Sequence, residues 1–185
     1  MDNPLLDTVT NNNIDTLIDP RSLQRRITEL ANKITIDYQN QEFLLVCILR
    51  GGVVFLTDLM RQIAIPHLID FMAVSSYTDG RTKSEGRVRI TMDLLTDIEH
   101  INVLLVEDIV DTGHTLKQVL ELLNSRSPKS LRVCTLLDKH ERREVDINID
   151  YVGFKIPDKF VVGYGLDDEN GYWRNLPYIG VARPQ

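Results

Sequence analysis

The sequence predicts an α/β domain with a mostly parallel central sheet flanked by helices. Two patterns carry this prediction. Short apolar runs of strand length alternate along the chain with segments whose apolar residues recur at helical spacing. Several of these runs are apolar at nearly every position, which is typical of parallel strands buried on both faces. The 185 residues contain no repeat or linker-like tract, so we expect a single domain over residues 1–185.

The first helix is expected directly after Asp19 and Pro20. An aspartate side chain can accept hydrogen bonds from the first free amides of a helix, and proline suits the first helical position. Apolar residues then recur at helical spacing through residues 23–34. These residues are expected to form the buried stripe of the helix.

The elements that follow alternate between strand and helix. Predicted strands cover residues 43–49, 67–76, 88–92, 101–106 and 130–137, and predicted helices cover residues 54–62 and the segment after residue 113. Pro157 interrupts residues 152–162, so this segment is predicted to form short strands around a turn.

Composition excludes several classes of function. A formal charge of −6 argues against a general nucleic-acid binder, which needs a basic face. Cys47 and Cys134 lie inside apolar runs, which indicates small buried side chains rather than a disulfide or a metal pair, and a reducing cytoplasm is the simplest compartment. No leader-like segment and no apolar stretch near the ~18 residues of a membrane span occur, so we expect no membrane association.

The segment from residue 102 to residue 116 is the most informative part of the chain. A buried strand runs into the sequence Asp-Thr-Gly-His-Thr at residues 111–115, here called the glycine turn, and a helix follows. Gly113 permits a left-handed or closely approached backbone. Free amides at the start of the helix, with the hydroxyls of Thr112 and Thr115, can form an anion site suited to a phosphate monoester.

Three acids accompany this turn. Glu107 and Asp108, here called the carboxyl pair, can accept hydrogen bonds from vicinal hydroxyls, which suggests a ribose. Asp111 lies where a proton acceptor could reach a reacting ring. Any one of these acids alone would be better explained as a helix cap or a solvated side chain. All three between a buried strand and a Thr-Gly-x-Thr sequence favour a functional site.

This segment resembles the signature of the type I phosphoribosyltransferases: an apolar strand, two acids, two apolar residues, then Asp-Thr/Ser-Gly-x-Thr. Residues 106–116 match it throughout, with His114 in the variable slot. Two further segments are similar to the hypoxanthine-guanine branch of that family. Residues 49–52 resemble its pyrophosphate loop, and residues 152–167, here called the purine segment, resemble its purine-recognition hood. The similar segments span about residues 43–181.

The resemblance implies the type I phosphoribosyltransferase fold, with a small hood formed mainly by about residues 150–185. It implies that ribose and phosphate bind at one group of residues: Glu107, Asp108, Asp111, Thr112, Gly113, His114 and Thr115. At His114 only the backbone amide is expected to matter.

Pyrophosphate is expected at the loop that follows residues 43–49. Arg50 supplies positive charge, and Gly51 lets the backbone approach a diphosphate, although paired glycines alone would favour an ordinary turn. The resemblance also implies a cis peptide between Leu49 and Arg50. Ser76 and Tyr77 fall in a polar segment, residues 75–87. Its composition is typical of a surface loop, whereas the resemblance implies a lid that closes over the diphosphate.

The purine is expected between the glycine turn and the purine segment. By composition, Lys139 would be a solvated lysine and Phe160 a core aromatic. The resemblance implies instead that Lys139 donates to the exocyclic oxygen and that Phe160 stacks on the ring. It also implies that Ile109 faces the ring, that Lys159 lies near the nucleotide's oxygens and that the Val161 backbone reads the ring's edge.

The resemblance implies a magnesium site with Asp167, Glu107 and Asp108 as its metal-binding residues, and carboxylates are the hard oxygen ligands that Mg²⁺ prefers. One feature departs from the family pattern. The family places an arginine for pyrophosphate six positions after the metal aspartate, whereas Arg174 comes seven after Asp167. Gly171 is the residue that can absorb the extra position.

Together these features predict an enzyme of purine salvage. It would transfer a phosphoribosyl group from phosphoribosyl diphosphate to a 6-oxopurine, with Asp111 as the catalytic proton acceptor, and would form a homo-oligomer, a dimer or a tetramer. Two alternatives stay open. A transferase for xanthine or a pyrimidine is disfavoured by the purine segment. A regulator of the same fold that senses phosphoribosyl diphosphate and binds RNA or DNA is disfavoured by the acidic composition.

Overall fold

The computed structural model describes residues 14–76 and 88–182. Within these ranges the α-helices and strands are β1 Ile14–Ile18, α1 Pro20–Asp37, β2 Phe43–Leu49, α2 Val53–Gln62, β3 Leu68–Ser76, β4 Val88–Met92, β5 Asn102–Val110, α3 His114–Asn124, β6 Ser130–Asp138, β7 Tyr151–Lys155, β8 Val161–Val162 and β9 Ile179–Ala182.

Six strands form the central sheet in the order β4-β3-β2-β5-β6-β7. Every neighbouring pair is parallel except β3 and β4. Helix α2 connects β2 to β3, and α3 connects β5 to β6, which is the usual way to join parallel neighbours. The predicted α/β class with a mostly parallel central sheet is confirmed.

Both faces of the central sheet are covered, which explains why β2 and β5 are apolar at consecutive positions. Successive residues of a strand point to opposite faces. One face packs with α1 and α2, and the other packs with α3. The strand residues on the first face are Leu45, Cys47, Leu104 and Val106, and those on the second face are Leu44, Val46, Val103 and Leu105.

Helix α1 begins as predicted. The Asp19 carboxylate accepts hydrogen bonds from the amides of Arg21 and Ser22 at 2.9 and 3.0 Å, with Pro20 in the first turn. The predicted stripe is buried over its whole length: Leu23, Ile27, Leu30, Ala31 and Ile34.

Strand β5 continues four residues beyond the predicted end at residue 106. The acids interrupt the apolar run, but β6 keeps pairing alongside them, with Glu107 opposite Thr135 and Val110 opposite Asp138. The carboxyl pair is therefore held inside a hydrogen-bonded ladder rather than in a loop.

A second, three-stranded sheet has the order β1-β9-β8 and is antiparallel. The two short strands predicted around Pro157 belong to different sheets. Strand β7 is the edge strand of the central sheet, and β8 belongs to the small one. Strands β1 and β9 were not predicted, since each is short and finds its partner at the opposite end of the chain.

Both cysteines are buried and free, as predicted. Burial raises the pKa of each thiol, which keeps them protonated. Among the helices of the described ranges, none is long and apolar enough to cross a membrane.

Leu104→Ala is expected to lower the free energy of unfolding by about 3 kcal/mol, because Leu104 is fully buried in the centre of the sheet and its truncation leaves a cavity. Leu95→Ala is the matched control: Leu95 is 96% exposed, so the change should stay within about 0.5 kcal/mol of zero. Urea unfolding followed by circular dichroism measures both. Equal losses in the two variants would contradict this account of the core.

Candidate functional site

The site is centred on the glycine turn between β5 and α3. Gly113 precedes the helix with φ 90°, in the left-handed region predicted for it. A Cβ there would lie 2.9 Å from side-chain atoms of Arg143 and Val145, so space also requires glycine. Having no side chain, Gly113 leaves the first amides of α3 available to a ligand.

A cavity of about 240 Å³ opens at this turn. Its walls come from the end of β5, the turn and the start of α3: Glu107, Asp108, Ile109, Val110, Asp111, Thr112, Gly113, Thr115 and Leu116. The structure thus brings the carboxyl pair, Asp111 and both turn threonines to one hollow, as predicted. The combination of acceptors at one end and helix amides at the other suits a polyhydroxylated anion.

The carboxyl pair is electrostatically coupled. Glu107 is buried, and burial, followed by the negative charge of Asp108, raises its pKa well above the ordinary value of 4.5. Burial also raises the pKa of Asp108, although a nearby backbone amide and the Arg174 guanidinium act in the opposite direction. The pair can hold a proton at a pH where isolated carboxyls are ionised.

The loop after β2 packs directly on the carboxyl pair. The Leu49–Arg50 peptide is cis, as the resemblance implies. A Cβ on Gly51 would lie 1.6 Å from Asp108 Oδ2, and one on Gly165 would lie 2.2 Å from the Gly51 carbonyl oxygen. Glycine at both positions therefore lets this loop lie between the carboxyl pair and the purine segment. Arg50 is exposed beside it.

Asp111 belongs to a cluster of two acids and two bases. Lys139 Nζ lies 3.5 Å from Asp111 Oδ2 and 3.4 Å from Asp158 Oδ1. Arg142 Nε lies 3.1 Å from Asp111 Oδ1, and its Nη1 lies 3.3 Å from Asp158 Oδ1. Lys139 is buried, whereas the other three side chains are about 40–53% exposed. The interpretation of Lys139 as a solvated lysine is wrong.

Asp167 and Arg174 contact each other despite the extra residue between them. An Arg174 nitrogen donates to Asp167, and another donates to the Gly165 carbonyl oxygen at 2.6 Å. The residues between form a turn in which Gly171 has φ 86°. The turn places the Arg174 charge near both Asp167 and Asp108 across the longer spacing.

The purine segment presents an aromatic ring to solvent. Phe160 is 58% exposed, so its interpretation as a core residue is wrong. Lys159 is exposed next to it, and Val161 is buried in β8. Ile109 is half-buried on the wall of the cavity.

Some predicted site residues lie elsewhere or outside the described ranges. Tyr77 and residues 77–87 are not described, nor is the side chain of Ser76, which ends β3. The His114 ring contacts Glu144, with 2.7 Å between Nε2 and Oε2. Within residues 14–76 and 88–182, no three His, Cys, Asp or Glu side chains are grouped as a ready metal site.

Sequence reasoning missed Arg142 and Asp158. A pattern for Arg142 was present, since it follows Lys139 by three positions, and in the short 3₁₀ helix His140–Arg142 such residues share a face. Asp158 offered no comparable pattern. Only the packing of the purine segment against the end of β6 brings it to Lys139.

A larger cavity of about 480 Å³ lies among residues 138–155. Two of its charged groups already have partners, with Arg143 2.5 Å from Asp138 and Glu144 2.7 Å from His114. The smaller cavity offers free helix amides and the coupled carboxyl pair, and we therefore place the candidate site there.

Comparison with known proteins gives a consistent result. Residues 13–169 match the family model described as phosphoribosyl transferase domain. A hypoxanthine phosphoribosyltransferase of Buchnera aphidicola is 53% identical over 169 residues, covering 90% of this chain and 94% of that protein. A hypoxanthine-guanine phosphoribosyltransferase of Staphylococcus aureus is 49% identical over 171 residues, covering 92% and 94%.

Solved structures agree. A crystal structure of a hypoxanthine phosphoribosyltransferase from S. aureus superimposes with a TM-score of 0.90 at 48% identity and covers 95% of both chains. A hypoxanthine phosphoribosyl transferase of Trypanosoma cruzi, studied for the role of its C-terminal region in oligomeric state and activity, superimposes with a TM-score of 0.86 at 39% identity, covering 92% and 91%.

Glu107→Gln is expected to stabilise the protein at pH 8 and to leave it unchanged near pH 4.5. Because the folded-state pKa of Glu107 is raised, the folded chain keeps a proton that the unfolded chain releases above about 4.5, and the free energy of unfolding falls as pH rises through that window. Glutamine carries no proton to lose, so at pH 8 the variant should have a free energy of unfolding higher by about 1–2 kcal/mol, or a Tm higher by roughly 2–8 °C.

Thermal unfolding at both pH values measures the effect. Glu121→Gln on the exposed face of α3 is the control and should change Tm at neither pH. A Glu107→Gln variant that loses stability at pH 8 would contradict the proposed protonation of the pair.

Proposed function

The chain belongs to the phosphoribosyl transferase family, and from this premise we propose that it transfers a phosphoribosyl group from 5-phosphoribosyl 1-diphosphate to hypoxanthine or guanine. The products are IMP or GMP and pyrophosphate. The observation that supports this most is the cavity of about 240 Å³ in which the carboxyl pair, Asp111 and the glycine turn meet. The names of relatives about 50% identical agree with the substrate class.

The 5-phosphate binds in the glycine turn. Amides at the start of α3 and the hydroxyls of Thr112 and Thr115 donate to its oxygens, and the positive end of the helix favours its charge. The backbone amide of His114 joins them, while its ring stays with Glu144.

The ribose hydroxyls bind the carboxyl pair at the other end of the cavity. A vicinal diol can donate two hydrogen bonds, and the oxygens of the two neighbouring carboxyls can accept them. The buried position of Glu107 at the end of a paired strand fixes the sugar relative to the purine segment. This fixed geometry keeps the anomeric carbon within reach of the base.

The diphosphate binds at Arg50, Gly51 and Arg174, and the family resemblance adds Ser76 and Tyr77 to this group. Cationic side chains and backbone amides stabilise the charge that develops on the departing diphosphate. Arg174 is already near Asp108 and Asp167, which supports its assignment despite the longer spacing.

Mg²⁺ is the proposed cofactor, with Asp167 as a ligand and Glu107 and Asp108 on the ribose side. Mg²⁺ in proteins usually takes one or two carboxylates and completes its shell with waters and substrate oxygens. Asp167, whose side chain is 35% exposed, is a donor of that kind. When bound, the ion would neutralise part of the diphosphate's charge.

The purine binds between Ile109 and Phe160, whose exposed ring is available for stacking. Lys139 donates to the exocyclic oxygen of the base, the Val161 backbone reads the ring's edge, and Lys159 lies near the nucleotide's oxygens.

Asp111 accepts a proton from the five-membered ring while the neighbouring nitrogen attacks the anomeric carbon. Its Oδ1 atom is buried and has no hydrogen-bond partner among the described residues, so a lone pair remains for that proton. The carbon–oxygen bond to diphosphate breaks as the carbon–nitrogen bond forms.

We also propose that the protein is a cytoplasmic homo-oligomer, a dimer or a tetramer. Its two buried free thiols suit a reducing compartment, and the T. cruzi relative has been studied for its oligomeric state. Neither nucleic acid nor membrane is proposed as a partner, given the acidic charge of −6.

Pyrophosphate release with hypoxanthine, guanine, xanthine and uracil in parallel tests the proposed reaction. We expect turnover with hypoxanthine, with guanine or with both, and at most about one hundredth of that rate with xanthine and uracil. Chelation with EDTA should abolish turnover and added Mg²⁺ should restore it. Preferred use of xanthine or uracil, or no turnover with any base, would refute the assignment.

Asp111→Asn is expected to lower kcat about 100-fold or more and to change KM for either substrate less than about threefold, because it removes a proton acceptor while preserving shape. Asp146→Asn is the control, since Asp146 is an exposed aspartate in the β6–β7 connection and its substitution should leave kcat unchanged. Steady-state kinetics measure both. Near-normal kcat in Asp111→Asn would remove this residue from the mechanism.

A further inference from the structure

Arg142 lies against the proposed proton acceptor but has no role in the reaction as described so far. Its guanidinium reaches two carboxylates from different parts of the chain, with Nε 3.1 Å from Asp111 Oδ1 and Nη1 3.3 Å from Asp158 Oδ1. Asp111 follows β5, whereas Asp158 lies in the purine segment. Arg142 is thus a physical link between the glycine turn and the segment that carries Phe160.

The backbone that carries Arg142 is firmly anchored. The Arg142 amide donates to the Lys139 carbonyl oxygen at 2.9 Å, and the Glu144 amide donates to the Thr112 carbonyl oxygen at 3.0 Å. Between them, the Arg143 guanidinium is 2.5 Å from the buried Asp138 carboxylate at the end of β6. These contacts on both sides hold Arg142 in place over the glycine turn.

Lys139 alone holds Asp111 weakly. Its nitrogen lies 3.5 and 3.4 Å from the two carboxylates, beyond the usual 2.7–3.2 Å of an N–H···O hydrogen bond. If one of the three Lys139 donors goes to the purine oxygen, the two long contacts with the carboxylates are all that Lys139 offers to hold them. Arg142 can remain paired with both, because a guanidinium presents donors on several sides.

The contact also leaves Asp111 able to act. Although Arg142 Nε is close to Asp111 Oδ1, the geometry is not that of a hydrogen bond, and this oxygen keeps an unused acceptor position among the described residues. The charge of Arg142 can therefore fix the carboxylate without occupying the lone pair that takes the proton.

We propose that Arg142 is a positioning residue for proton transfer: it holds the Asp111 carboxylate in place, ties it to Asp158 of the purine segment and frees Lys139 to bind the purine oxygen. This inference rests on the proposed function, in which Asp111 accepts the proton. It assigns Arg142 an effect on kcat that acts through Asp111, without direct contact with either substrate.

Arg142→Gln tests the inference in two backgrounds. In the otherwise native chain we expect kcat to fall about tenfold and KM for both substrates to change less than about twofold, since the acceptor is misplaced but the binding groups remain. In the Asp111→Asn background, Arg142→Gln should change kcat less than about twofold, because the group through which it acts is already gone. Arg142→Lys should restore part of the lost rate.

Arg126→Gln is the matched control, since Arg126 makes a similar ion pair with Asp93, at 2.8 Å, near the opposite end of α3. It should leave kcat unchanged, and Tm should stay within about 2 °C of the native value in both single arginine variants. A native kcat in Arg142→Gln, or an equal loss in both backgrounds, would overturn the inference. Native kcat in Asp111→Asn would instead overturn the proposed role of Asp111, so the two failures are distinguishable.

Discussion

Two carboxyl groups held side by side at the buried end of β5 are the constraint on which the site depends. Glu107 and Asp108 remain inside the sheet because β6 continues to pair beside them, and burial raises the pKa of both. Keeping two acids this close in a low-dielectric setting costs stability. A fold that bound no ligand there would have no reason to retain such an arrangement. The surrounding loops are shaped around this pair.

Glycines make that arrangement possible. Gly51 lies where any side chain would strike Asp108, and Gly165 lies where one would strike Gly51. The loop after β2, the carboxyl pair and the purine segment therefore pack as three layers. Arg174 beside Asp167 and Arg142 beside Asp111 add charged groups to the site. A substrate that carries a phosphate, a ribose and a diphosphate meets a complementary group at each point.

Local patterns determined most of the fold and the centre of the site. The stripe of α1 and the continuous apolar runs of β2 and β5 follow from burial on one or two faces, so their periodicity alone predicts them. Gly113 was predictable because few other residues adopt its backbone angle. The small sheet was not predictable, since β1 and β9 are short and pair across nearly the whole length of the chain.

The sequence by itself determined the α/β class, the glycine turn and the acids around it, because each depends on neighbours within about ten residues. Tertiary structure alone decided which charges meet. Asp158 joins Lys139 and Arg142, and Arg174 approaches Asp108, only after segments distant along the chain have packed together. Electrostatic contacts of this kind depend on distances of a few ångströms in space, and no periodicity along the chain encodes them.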